Sequence, residues 1–144
     1  MIIDNLEITG ALQISLNNEI VHQCDNLVVT AGKNWVAGRF KDGSIPDEMS
    51  HMAIGSADTA AAAGNTALAT ELNRIALTTD GGTVSTNTVQ YDASWTSATG
   101  AFAIKEAGIF NASSGGTMLA RTTFAVINKG TDDTVSISWT ITVS

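Results

Sequence analysis

A chain of 144 residues fits a single domain, and a domain of this length buries roughly 70% of the surface its unfolded form exposes. Seven Lys and Arg against fourteen Asp and Glu leave a net charge of -7, which lacks the basic footprint of a phosphate-binding protein and excludes nucleic acid as the expected partner. Cys24 is the only cysteine, so an intrachain disulfide is excluded. No apolar run approaches the roughly 18 residues that would cross a bilayer, so no membrane partner is expected either.

The opening MIIDNLEITG lacks the basic and then apolar segments of a secretion signal, which points to synthesis in a cytoplasm. Leu6, Ile8, Leu12, Ile14 and Leu16 keep a period of two across Gly10, so LEITGALQISL reads as a strand or a strand pair bent at that glycine. Asn17-Asn18 is a turn into the strand EIVHQC. In NLVVTAGKNWVAGRFKDG the period changes. Val28 and Val29 end a strand, Thr30 can cap, and Trp35, Val36, Arg39 and Phe40 follow at helical spacing until Asp42-Gly43 stops the element. The expectation is a helix over 31–41.

Residues 44–50 hold the only proline, Pro46, and read as a loop; HMAIG, residues 51–55, reads as a short buried strand. Four consecutive alanines in SADTAAAAGNTALATELNR favour helix, while Gly64 and Asn65 break it, so the expectation is one short helical turn over 66–72. From residue 75 onward the pattern is β. Val89, Tyr91, Ala93 and Trp95 alternate with polar residues, and Val135, Ile137, Trp139, Ile141 and Val143 do the same. Between these two strands lies AIKEAGIFNASSGGTMLARTTF, a hairpin turning at Ser113-Ser114-Gly115-Gly116. The fold class implied is mainly β, a β-sandwich or jelly roll with one short helix, in one domain over 1–144.

Within that hairpin Glu106 is in phase with Phe102, Ile104 and Phe110 on the face expected to be buried. If Ala112 and Thr117 flank the loop, Phe110 faces Leu119, Gly108 faces Arg121 and Glu106 faces Thr123. Arg121 then lies diagonally from Glu106, roughly 7–8 Å away and within reach of a long side chain. The expectation is a structural ion pair, Glu106 with Arg121, because an unpaired buried carboxylate is costly. As a catalytic acid Glu106 would need a second carboxylate, and the nearest in sequence, Asp132 and Asp133, read as a turn.

Chemistry elsewhere is sparse. His22 and Cys24 share a strand face, but zinc needs three or four ligands and His51 is the only other histidine. Asp42-Gly43, Asp80-Gly81-Gly82 and Gly130-Thr131-Asp132-Asp133 are acidic turns without the alternating ligands and closing Glu of a calcium loop. No GxSxG, GxxxxGK[ST] or GxGxxG is present, so no catalytic residue, metal or cofactor is expected. Trp35, Tyr91, Trp95 and Trp139, which could line a sugar-binding groove, are all in phase with apolar faces and read as core.

Three blocks together carry a resemblance. NLVVTAGKNWVAGRF, HMAIGSADTAAAAGNTALATELNR and KEAGIFNASSGGTMLARTTFAVINKGTDDTVSISWTITV, covering most of residues 26–143, resemble a family of small structural proteins of tailed bacteriophages that includes capsid cement (decoration) proteins. Similar blocks occur in tail fibre components. The resemblance implies a β-rich fold, often a jelly roll, and no enzymatic activity. It also implies a homo-oligomer, dimer or trimer, that clamps the major capsid protein on the outside of the virion. A tail fibre or baseplate component is the second expectation and a carbohydrate-binding module the third.

Overall fold

The computed structural model describes residues 2–41 and 46–144. Among the described residues ten strands and one α-helix follow in the order β1 (Ile8–Leu16), β2 (Glu19–Asp25), β3 (Leu27–Val28), α1 (Thr30–Lys41), β4 (His51–Gly55), β5 (Glu71–Ala76), β6 (Thr83–Ser85), β7 (Thr88–Trp95), β8 (Phe102–Phe110), β9 (Met118–Lys129) and β10 (Val135–Val143), with a single 3-10 turn over Ser97–Thr99 between β7 and β8. They form two five-stranded antiparallel sheets, ordered β2-β1-β10-β7-β6 and β3-β9-β8-β4-β5. This is a β-sandwich with one short helix.

Alternation explains the sheets. On β10, Val135, Ile137, Trp139 and Ile141 turn inward, while Ser136, Ser138, Thr140 and Thr142 line the outer face. Leu12 and Ile14 of β1 and Tyr91, Ala93 and Trp95 of β7 continue the inward layer, which meets Met52, Ile54, Ile104, Ala107, Ile109 and Leu119 of the other sheet. Trp95 and Trp139 are fully buried, and each indole N–H has an acceptor, Asn73 Oδ1 at 3.0 Å and Asn26 Oδ1 at 2.8 Å. Asn17 and Asn18 adopt φ of 51° and 69°, the left-handed pair that a two-residue hairpin between β1 and β2 requires.

Helix α1 begins one residue earlier than expected. Its single buried residue is Gly32, where a Cβ would stand 2.1 Å from the Leu119 carbonyl oxygen, so a glycine lets the helix rest directly on β9. The apolar stripe expected on α1 is not all buried: Trp35 and Val36 pack against the core, but Phe40 is exposed. Asp42-Gly43, expected to stop the helix, and the first two residues of the 44–50 loop lie outside the described residues. Among the described residues no helix is long and apolar enough to cross a membrane.

The expected turn of helix over 66–72 is absent. Residues 56–70 are irregular, and β5 starts at Glu71. Four alanines carry helix propensity, but the backbone N–H groups of Ala69 and Thr70 are engaged elsewhere, as described next.

Candidate functional site: a buried ion pair and the loop it anchors

The β8–β9 hairpin keeps the expected register only in its middle, where Glu106 faces Thr123 and Gly108 faces Arg121. Two irregularities displace its ends. Near the loop Phe110 faces Met118, not Leu119, and between Ile104 and Glu106 the register slips so that Ile104 faces Ile127. The second slip inverts the phase. Ile104, Ala107 and Ile109 point into the core between the sheets, whereas Phe110 joins Val29, Ala53, Leu68 and Met118 in a separate cluster. Glu106 is therefore not in phase with Phe102 and Ile104, which belong to the core between the sheets. It shares with Phe110 the opposite face of the sheet, which would be open to water but for the 56–70 segment folded over it.

Glu106 and Arg121 are both buried, with 0% and 1% of their surface exposed. Glu106 Oε2 accepts from Arg121 Nε at 3.0 Å and Nη2 at 2.8 Å. The same oxygen accepts from Ala69 N at 3.0 Å, while Oε1 accepts from Thr70 N at 2.7 Å and Ala57 N at 3.4 Å. Arg121 Nη1 donates to Asn65 Oδ1 at 3.0 Å and Nη2 to the Thr59 carbonyl at 2.9 Å. Apart from the bonds between the two residues, every one of these partners lies between residues 57 and 70. The pair is a hub, and the loop is its rim.

Further bonds close the loop on itself and on the helix. Ser56 N donates to Thr70 O at 3.0 Å, Ala62 N to Asn65 Oδ1 at 2.8 Å, and Thr30 N to Ala63 O at 2.8 Å, which occupies a donor at the start of α1. Leu68 is the one apolar anchor, inserted above Gly108 and Phe110. What remains outside is mostly small: Thr59, Ala60, Ala62, Ala63, Thr66 and Ala67 are all exposed, and Asp58, 3.6 Å from Lys105 Nζ, is the one charge among residues 56–70.

Glu106 has no open lone pair to offer a substrate. Both oxygens are saturated and no part of it reaches solvent, so its environment is that of a structural carboxylate. His22 and Cys24 do share a face of β2. The imidazole packs on the Phe124 ring, centroids 5.6 Å apart, and Cys24 Sγ lies 3.7 Å from Thr122 Oγ1. Among the described residues no group of three or more His, Cys, Asp or Glu is placed to hold a metal ion. Tyr91, Trp95 and Trp139 are core residues, and Trp35 is half-buried, donating to the Asp47 carbonyl at 2.7 Å.

Two cations escaped the sequence reading. Arg74 of β5 lies over the Phe110 ring at 3.7 Å and donates to the carbonyls of Ala112 and Gly115, so it braces the tip of the β8–β9 hairpin. Lys129, at the end of β9, is 2% exposed and donates to the carbonyls of Gly100 and Gly130. Neither position carries a motif; only the folded loops bring the carbonyls together.

Comparison with protein-family models, with curated proteins and with solved structures found no match.

Proposed function

We propose that the protein is a virion structural protein of the capsid cement type, a homo-oligomer that binds the outer face of an assembled shell of major capsid protein and reinforces it. The observation that carries this reading is the use made of the Glu106–Arg121 pair. A buried ion pair is costly to desolvate, and here it orders a surface loop that contributes only Leu68 to the interior. A loop fixed in advance loses little entropy on binding, which favours recognition of another protein by shape. Its exposed alanines and threonines, with Asp58 the single charge beside them, suit close approach to a second surface. The resemblance of residues 26–143 to phage cement proteins supports the same reading, and the protein acts in it without catalysis or cofactor.

The test mixes purified protein with shells that lack it, then measures bound copies per shell and the temperature at which shells rupture. Hundreds of copies and later rupture are expected, because a partner that recognises only the assembled state shifts the equilibrium toward it. Ala62→Arg should reduce occupancy while leaving the melting temperature of the free protein unchanged. Occupancy near the number of tails would favour the tail fibre or baseplate reading instead.

A further inference from the structure

β10 flanks β1 along its whole length, whereas β2 covers the other side of β1 only from Ala11 to Leu16. Backbone groups of a strand point alternately to its two sides. Glu7 exchanges both of its bonds with Ser144, so Ile8 and Gly10 turn theirs away from β10, toward the side that β2 has not reached. One bond closes that stretch, from Asn26 N to Gly10 O at 3.0 Å. Beside it opens a groove of about 470 Å³, walled by Ile8, Leu27 and Val28 and bordered by Asp25 and Lys33. The buried Nδ2 of Asn26 has no hydrogen-bond partner, and Lys33 forms no ion pair among the described residues.

The segment leading into β1 has the complementary character. Ile2, Ile3 and Leu6 are 93%, 72% and 63% exposed, and Asp4 and Glu7 are its only charges. Its own groove does not hold it. An open strand edge at Ile8 and an apolar strand-like segment lie within one continuous stretch, residues 2–8, which is the self-complementarity an isologous contact requires.

The geometry points to a two-fold dimer in which residues 4–8 of one copy pair antiparallel with residues 4–8 of a second. Leu6 faces Leu6 and Asp4 faces Ile8, and the ribbon ends before Gly10, whose carbonyl Asn26 N already occupies. All these residues are even-numbered, so each presents its backbone N–H and C=O to the shared edge, and the two sandwiches join through one extended ribbon. This register brings Asp4 of each copy to the groove wall that carries Lys33 of the other. Asp25 borders the same groove from the β2 side, where it pairs with Ala11. The exposed Leu6 side chain thereby gains cover from the same residue of the second copy.

The dimer deepens the homo-oligomer part of the proposed function, and it is tested on the protein alone, so that its failure leaves shell binding standing. Light scattering after size exclusion should give twice the chain mass. Leu6→Cys, on air oxidation, should form a covalent dimer that the parent, with Cys24 alone, does not. Leu6→Asp changes an exposed residue and should yield a folded monomer of unchanged circular dichroism. Asp4→Lys and Lys33→Asp should each weaken dimerisation about fivefold, the size of an exposed ion pair, and the two together should restore it. A parent of single-chain mass, a Leu6→Asp variant that keeps its mass, or a Leu6→Cys variant that does not cross-link would overturn the pairing.

Discussion

Arg121 and Glu106 show how one pair of side chains can hold a surface together. Arg121→Leu leaves a carboxylate buried without its counter-charge, which costs roughly 3–5 kcal/mol. It also frees Thr59 and Asn65 from their donor, so the variant should melt far below the parent and be cut by proteases within residues 57–70. Adding Glu106→Leu removes the lone charge but orphans the amide N–H groups of Ala57, Ala69 and Thr70. The double variant should therefore recover part, and not all, of the loss, and strict additivity in the cycle would show that the two side chains do not act together. Cys24 gives a second test at this scale. Burial first, and the charge of Asp25 less strongly, push its thiol up, against a hydrogen bond with Thr122 that lowers it. Less thiolate is then present at neutral pH than in a free cysteine. Iodoacetamide should label Cys24 more slowly in the folded protein than in urea, and equal rates at pH 7 would contradict this.

Among the elements, the joint between two turns carries a pH signature. Asn17, in the β1–β2 turn, donates to Asp133 Oδ1 at 2.8 Å, Gly130 N donates to Asp133 Oδ2 at 2.7 Å, and Thr134 N donates to Asn17 Oδ1 at 2.9 Å. The Asn17 side chain and the Gly130 amide hold the Asp133 carboxyl below the usual range. A carboxylate depressed in the folded state adds stability that is present above its unfolded pKa, near 3.9, and is lost as pH falls through the lower folded value. Asp133→Asn should therefore melt below the parent at pH 6, and the difference should shrink as the pH falls below about 4. A gap that is constant with pH would mean that the charge plays no part. Elements also mark where reading from sequence stops. The strands β1, β7 and β10 were legible because one face of each meets the core and the other meets water, so alternation survives intact. β8 was not, because both of its faces are covered from Glu106 onward and a slip before Glu106 exchanges them. Glu106 and Arg121 could still be paired from sequence, since the middle of the hairpin keeps its register. Their purpose could not, because the donors that surround them come from a loop whose alanines favour helix and whose amides are drawn instead to a carboxylate some forty residues away, as the Thr70–Glu106 bond shows.

For the whole molecule, the two outer faces of the sandwich are unlike. One sheet is roofed by residues 56–70 and the start of α1; the other leaves a lawn of Ser, Thr and Gln around β10. In the proposed role the roofed face meets the shell through its fixed loop, and the edge at Ile8 meets a second copy. The position of β10 has a separate meaning for how the chain reaches this state. It lies between β1 and β7 in the middle of its sheet, yet it follows the other nine strands in sequence, so until it arrives β1 and β7 have no common neighbour. The sheet closes only when strands more than a hundred residues apart in sequence find each other, as Ile14 finds Ile137. Loop closure on that scale precedes any reward from pairing, which places refolding in the range of milliseconds to seconds typical of sandwiches. A nascent chain still lacking β10 thus holds β2-β1 and β7-β6 as two separate pairs, each with an open edge that β10 later fills.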